Sequence, residues 1–262
     1  AAYSQRQNDV FGYLLNVILQ YYVFFPCTLD EIEEMWETVR NIARTVSSQW
    51  GKPDKGIWEI RNGERHFVFS KVMSWVAMDR ATKIAELLNK KYYAEVWQGI
   101  ANDIKEDVLN NGWKEELQTF TQTYCNSDLD ASLLLMAEYG FIDAGDIKYK
   151  KTVIAVKNAL FYNGLMYRYI NADDFGKPTS SFTICTFWLI QALYKIGSTE
   201  EAQIIFDNLL ACANHVGLLS EDIDFATKRL LGNFPQAYSH LALINTARLF
   251  SEEKYISKFI KP

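Results

Sequence analysis

Two stretches of this sequence carry side chains suited to proton transfer. In GIWEIRNGERHF (residues 56–67), Glu59 follows Trp58, with Arg61 and Arg65 close by. A carboxyl packed against an indole is desolvated, which raises its pKa and keeps it a proton donor near neutral pH. The plainer reading of the same spacing is an exposed loop glutamate paired with Arg61, and surface glutamates are common enough that spacing alone favours it. GLLSEDID (217–224) supplies Glu221, Asp222 and Asp224. Three acids so placed suit a calcium site, a catalytic base or a solvated loop. The EF-hand pattern is absent, and exposed acids are commonplace, so spacing alone favours the solvated loop. The pair Asp173-Asp174 invites comparison with isoprenoid-binding acidic motifs, but no second such cluster falls on a facing helix.

Aromatic residues recur in or beside the same kinds of segment: Trp50, Trp58, Trp75, Trp113 and Trp188, with Tyr124, Tyr167 and Tyr169. Ring faces stack on the C–H faces of sugars, while arginine and carboxylates bond their hydroxyls. Trp75 and Trp188 fall inside helical stretches and read as core packing. Other chemistries lack their signatures. The patterns GxSxG, Walker A and GxGxxG are missing. Cys27, Cys125, Cys185 and Cys212 are scattered with no CxxC pair, and His66, His215 and His240 are dispersed, which gives neither a zinc site nor a disulfide framework.

The elements that must position these residues are helical. Val10, Leu14, Val17, Ile18 and Tyr21 follow the spacing of one helix face and predict a helix over about 8–24. Pro26 ends it. Thr28 and Glu31 make a capping-box spacing that opens a second helix to about Gln49. Further helices are predicted over about 67–88, 94–110, a stretch capped by Asp128 and ended by Gly140, 143–157, 182–196, and one opened by a second capping-box spacing, Ser198 with Glu201, to about Asn214. Pro235 suits the first turn of a ninth helix to about Phe250, and a short tenth is predicted over 251–260. Long loops at 51–65, 111–127, 162–181 and 217–234 alternate with tight connections, which predicts helix pairs whose functional loops gather at one end. No short motif repeats at a period of 30–50 residues. The fold class is all-α, and an α/α toroid fits before any resemblance is invoked.

Composition bounds the rest. The chain has 262 residues, 49% hydrophobic and 23% charged, which excludes a disordered, collagen-like or disulfide-dense class. A net charge of -5 lacks the basic footprint of a nucleic-acid binder. No apolar run reaches about 18 residues, so no membrane span is expected. The first residues, AAYSQRQNDV, lack the charged start and apolar core of a signal peptide, and a cytoplasmic location is the default expectation.

Four segments, taken in order, resemble one family. PDKGIWEIRNGERHFVFSKVMSWVAMDRA (53–81) looks like the acid-bearing segment of bacterial family 15 glycoside hydrolases, the glucoamylase and trehalase group. GLLSEDID followed by LLGNFPQAYSHLALI (217–244) resembles the base-bearing segment. YCNSDLDASLLLMAEYGF (124–141) and GLMYRY…SFTICTFWLIQAL (164–193) are similar to segments between them. The resemblance implies an (α/α)6 toroid of twelve helices and hydrolysis of a terminal α-glucosidic bond with inversion. It assigns Glu59 as general acid and Glu221 as general base, with Trp58, Arg168 and Tyr238 binding the sugar. Inversion needs room for water between the carboxyls, which sets them about 6.5–9.5 Å apart. Two carboxylates and a water suffice, so no metal or organic cofactor is expected.

About ten of the twelve helices are found, and AAYSQRQNDVFG looks like the start of the third barrel helix. The expectation is a single catalytic toroid domain over 1–262, truncated at its N-terminus. On that expectation the family's N-terminal β-sandwich lies outside this sequence, as does the first helix pair with its sugar-binding Arg-Asp pair. An open toroid would expose apolar helix faces, to be covered by self-association or by the missing N-terminal part. The expected partner is an α-glucan oligosaccharide or trehalose, with no nucleic acid and no membrane. The alternatives are a non-catalytic carbohydrate-binding protein that retains the cleft, and a structural helical-repeat module.

Overall fold

The computed structural model describes residues 5–61, 63–172 and 176–251. It is mostly helical: α1 (Val10–Phe24), α2 (Leu29–Gln49), α3 (Val68–Leu87), α4 (Lys91–Asn111), a 3-10 helix (Ala131–Leu135), α5 (Ile147–Leu160), α6 (Thr183–Lys195), α7 (Thr199–Leu210) and α8 (Ala237–Phe250). Short antiparallel pieces of two residues stiffen the loops. They are β1 (Trp113–Lys114) with β2 (Thr119–Phe120), β3 (Phe161–Tyr162) with β4 (Leu165–Met166), and a three-stranded sheet in the order β5 (Ser181–Phe182), β6 (Asp222–Ile223), β7 (Leu230–Leu231).

The elements form two series. Along one, α1 packs on α3, α3 meets the 3-10 helix, that helix meets α6, and α6 meets α8. Along the other, α2, α4, α5 and α7 flank α1, α3, the 3-10 helix and α6 respectively. Helix α3 is the core of the arrangement, with 15 of its 20 residues buried. It lies so close to α1 that a Cβ on Gly12 would sit 2.5 Å from the Met73 carbonyl oxygen, so only glycine permits that crossing. The two ends of the first series present apolar side chains to solvent: Val10, Leu14 and Val17 in one stripe of α1, and Leu241 and Ile244 on α8. A helix apolar on both faces ordinarily has neighbours on both.

Several local expectations hold, and others need correction. The Thr28–Glu31 capping box forms in both directions. The second proposed box does not: Ser198 makes no side-chain cap, and the Glu201 carboxylate pairs with Lys157 of α5. Asp130, rather than Asp128, caps the helix at 131, and that element is a short 3-10 helix. Asp146 caps α5, while Asp143 accepts from Gly145 N in the preceding turn. Pro235 lies two residues before α8, whose N-cap is Gln236. The expected tenth helix beyond Ser251, and the pair Asp173-Asp174, lie outside the described residues.

Candidate active site

The loop bearing Glu59 is closed at its base by a pair of backbone bonds, Asp54 N to Arg65 O at 2.9 Å and Arg65 N to Asp54 O at 2.8 Å. Beneath it lies Lys71 of α3, only 1% exposed. Its ammonium donates to the carbonyls of Trp50 and, at 2.7 Å, Lys52. Burial lowers the Lys71 pKa to about 8, and nearby Asp54 and Asp107 oppose the shift. Asp54 is buried as well and accepts from Asn8 N at 2.9 Å, which ties the segment before α1 to the loop.

At the tip, Glu59 N donates to Gly56 O at 3.2 Å and Ile60 N to Lys55 O at 3.1 Å. Glu59 itself has φ of 55°, left-handed backbone that costs a residue with a Cβ roughly 1–2 kcal/mol. Its neighbours hold it there. Ile60 is buried, and Trp58 donates its indole N–H to Asp130 Oδ2 at 2.8 Å. The Trp58 ring is boxed by Phe182 at 5.7 Å, Trp188 at 6.0 Å and Tyr169 at 6.2 Å. Glu59 is exposed. The desolvation expected from a neighbouring indole is therefore not supplied in this state, because the indole is turned toward Asp130 and the rings.

Glu221 immediately precedes β6 of the three-stranded sheet. Its N–H donates to Asn233 O at 2.9 Å, and its carbonyl accepts from Thr183 N at 2.9 Å. The carboxylate is held on both oxygens. The Tyr238 hydroxyl donates to Oε1 at 2.7 Å, and Asn233 donates to Oε2 from Nδ2 at 2.9 Å and from its backbone at 3.1 Å. Burial and the bond to Glu221 both raise the Tyr238 pKa, so this phenol stays protonated and donating.

The three acids of GLLSEDID have separate surroundings. Asp222 accepts from Ser180 Oγ at 2.6 Å, and burial raises its pKa while Arg168 opposes the shift. Asp224 accepts from Ala226 N, Thr227 N and Thr227 Oγ1, and so closes its own turn. Only Glu221 is held by groups from two later segments.

A cavity of about 180 Å³ is lined by Arg168, Lys177, Thr179, Ser180, Phe182 and Asp222, the last of which is the neighbour of Glu221 in the chain. The Arg168 guanidinium lies 5.0 Å from the ring centre of buried Tyr169. Phe182 joins the two sides, as its ring meets Trp58 at 5.7 Å and Tyr238 at 5.8 Å. One aromatic seam, Trp58–Phe182–Tyr238, thus runs from the residue beside Glu59 to the hydroxyl on Glu221. Tyr238 faces the carboxylate, a placement that sequence did not anticipate for a residue expected to bind sugar.

The remaining aromatics sort by their partners. Trp75 is buried against Phe141 and Trp188 is half-buried against the core, as core packing predicts for both, and Trp188 also meets the Trp58 ring. Trp113 donates to Glu115 and Tyr124 to Asp107. Sequence reasoning missed Asp130, Phe182 and Asn233. Asp130 carries only the signal of a helix cap, and the other two carry none, because their roles depend on partners far along the chain.

The chain was compared with known proteins. The family model described as Glycosyl hydrolases family 15 matches residues 1–248. Trehalase of Mycolicibacterium smegmatis is 40% identical over 93% of this chain and 36% of its own length. Trehalase 2 of Sulfolobus acidocaldarius is 34% identical over 96% of this chain and 43% of its own. The chain thus spans well under half the length of these curated relatives. Among solved structures, a wild-type glycosidase superposes with a TM-score of 0.76 at 18% identity, over 94% of this chain and 68% of its own. The glucoamylase of Saccharomycopsis fibuligera gives 0.69 at 14% identity, over 93% of this chain and 70% of its own. These likenesses show the fold, an all-α toroid of which this chain forms part. With the family model matched over most of its length, the chain belongs to glycosyl hydrolases family 15.

Proposed function

We propose that this chain carries the acid and base of an inverting exo-acting α-glucoside hydrolase of the trehalase type. The observation that carries the reading is the aromatic seam. It ties the loop of Glu59 to the carboxylate of Glu221 through Phe182, which also lines the cavity beside Arg168.

In this reading Glu59 gives its proton to the leaving glycosidic oxygen as the bond to the anomeric carbon breaks. Glu221 takes a proton from the water that attacks the opposite face, and β-glucose leaves. The base must be aimed before substrate arrives. Tyr238 and Asn233 do this, since three donors to one carboxylate fix its plane. Arg168 and Trp58 face the sugar. The exposed Glu59 is covered when the sugar binds, which excludes water from the reacting bond.

Trehalose is the proposed substrate because the curated relatives at 34–40% identity bear the name trehalase. Those relatives are much longer, and hydrolysis by this chain in isolation is proposed to be weak or absent. The test uses this chain alone and a chimera in which it replaces the matching segment of the Mycolicibacterium smegmatis trehalase. Proton NMR of sugar release from trehalose, maltotriose and soluble starch reads both substrate and anomer. An early β-glucose signal from trehalose, lost in Glu59→Gln and Glu221→Gln, is expected. Only α-glucose at early times would overturn inversion. A chimera inert toward all three would favour a carbohydrate-binding protein that keeps the cleft.

A further inference from the structure

We propose that Asp130 is the positioning residue of the acid loop: its carboxylate fixes the Trp58 indole, and through it the left-handed backbone that presents Glu59. The inference rests on the reading of Glu59 as the acid and adds the device that aims it.

Asp130 is only 2% exposed, and its two oxygens do different work. Oδ1 accepts from Ser132 N at 2.7 Å and Ser132 Oγ at 2.6 Å, which is the cap of the 3-10 helix. Oδ2 accepts from Trp58 Nε1 at 2.8 Å, across 72 residues of chain, and from Gln122 Nε2 at 3.0 Å. A cap alone needs one oxygen, which serine or asparagine supplies as well as aspartate. The second oxygen is spent on the acid loop.

The next residue extends the same corner to the sugar side, since Ala131 N donates to the Arg168 carbonyl at 3.0 Å. The acid loop and the arginine segment are therefore fastened to adjacent residues, Asp130 and Ala131. Glu59 needs such a hold. Its φ of 55° is unfavourable for a glutamate, and such backbone persists only where the surroundings over-determine it. On one side the loop is pinned by buried Ile60, and on the other by Trp58. Burial raises the Asp130 pKa, and the four hydrogen bonds oppose that shift. A hydrogen bond in such a dry place is worth more than one at the surface.

The experiment uses the isotopically labelled chain, with hydrolysis measured in the chimera. Of the 7 tryptophan indole N–H resonances, the one absent in Trp58→Phe identifies Trp58. Asp130→Ser keeps a capping oxygen but is too short to reach the indole, and Ser132→Ala loses one bond at the same carboxylate without touching Trp58. Asp130→Ser is expected to move the Trp58 indole resonance and the Glu59 amide and Cα resonances together. Trp58→Phe should move the same Glu59 resonances, and Ser132→Ala should leave them in place. In the chimera, kcat should fall about tenfold to a hundredfold in Asp130→Ser, with KM changed less than about threefold.

Glu59 resonances unmoved in both Asp130→Ser and Trp58→Phe would overturn the inference. A Glu59 shift equally large in Ser132→Ala would also overturn it, because the effect would then belong to the cap. Should Asp130→Ser not fold, Trp58→Phe breaks the same bond from its other end and decides alone. The resonances report positioning whether or not sugar is cleaved, so an inert chimera would count against the acid assignment and leave this inference to the NMR.

Discussion

The Tyr238 hydroxyl donates to Glu221 Oε1 at 2.7 Å while Asn233 occupies Oε2, so the carboxylate is gripped from two directions by residues 12 and 17 positions further along the chain. Such a grip defines the plane of a base. Tyr238→Phe keeps the ring on Phe182 and removes only the donor. A hydrogen bond to a charged group contributes about 1.5–3 kcal/mol, so kcat/KM for the proposed hydrolysis should drop roughly tenfold to a hundredfold. The melting temperature should change little. Steady-state kinetics in the chimera, with calorimetry on the chain, checks both.

Gly232 is the third part of that grip. It has φ of +73°, and a Cβ there would sit 2.8 Å from Glu221 Oε2. Gly232→Ala should cost about 1–2 kcal/mol from backbone strain alone, and should also displace the carboxylate. Activity is expected to fall further than in Tyr238→Phe, and a variant with unchanged kcat would show that the carboxylate plane is unimportant.

Glu59 trades stability for placement. Glu59→Gly relieves the left-handed strain at φ 55° and is expected to stabilise the fold by up to about 1 kcal/mol after the flexibility of glycine is offset, while hydrolysis is lost. Glu59→Gln should lose hydrolysis with no such gain. For a chain of this size the gain corresponds to roughly 2–4 °C, and thermal unfolding of the two variants side by side measures it.

Asp9 makes a pH signature. It precedes α1 and does not cap it; its side chain is buried near Asp54 and Glu59. Burial, with help from those two carboxylates, raises its pKa from 3.8 to about 6. The folded protein therefore holds a proton that the unfolded chain has released between pH 3.8 and 6, and the contribution of Asp9 to stability falls as pH rises through that window. Asp9→Asn should match the parent near pH 4 and exceed it above pH 6, by about 3 kcal/mol at most. Denaturation at pH 4, 5, 6 and 7 would show the difference opening; a constant difference would contradict a shifted Asp9.

Local sequence determined what neighbours along the chain can settle. Apolar spacing over 10–21 sets α1, and the box of Thr28 and Glu31 sets the start of α2, because those bonds join residues three apart. The four segments of the family resemblance were also legible, and with them Glu59 and Glu221 as candidates. Identical local logic failed at Ser198 and Glu201, where the glutamate pairs with Lys157, 44 residues away. Spacing read Glu59 and Glu221 more readily as exposed loop acids than as a pair. What gives each its surroundings is the tertiary fold: Phe182 from the edge of a sheet, Asp130 from beneath a 3-10 helix, Asn233 and Tyr238 from beyond β7. The physical reason is range. Capping and periodicity act within a turn or two of helix, whereas orienting a carboxylate takes donors that only packing can bring to it.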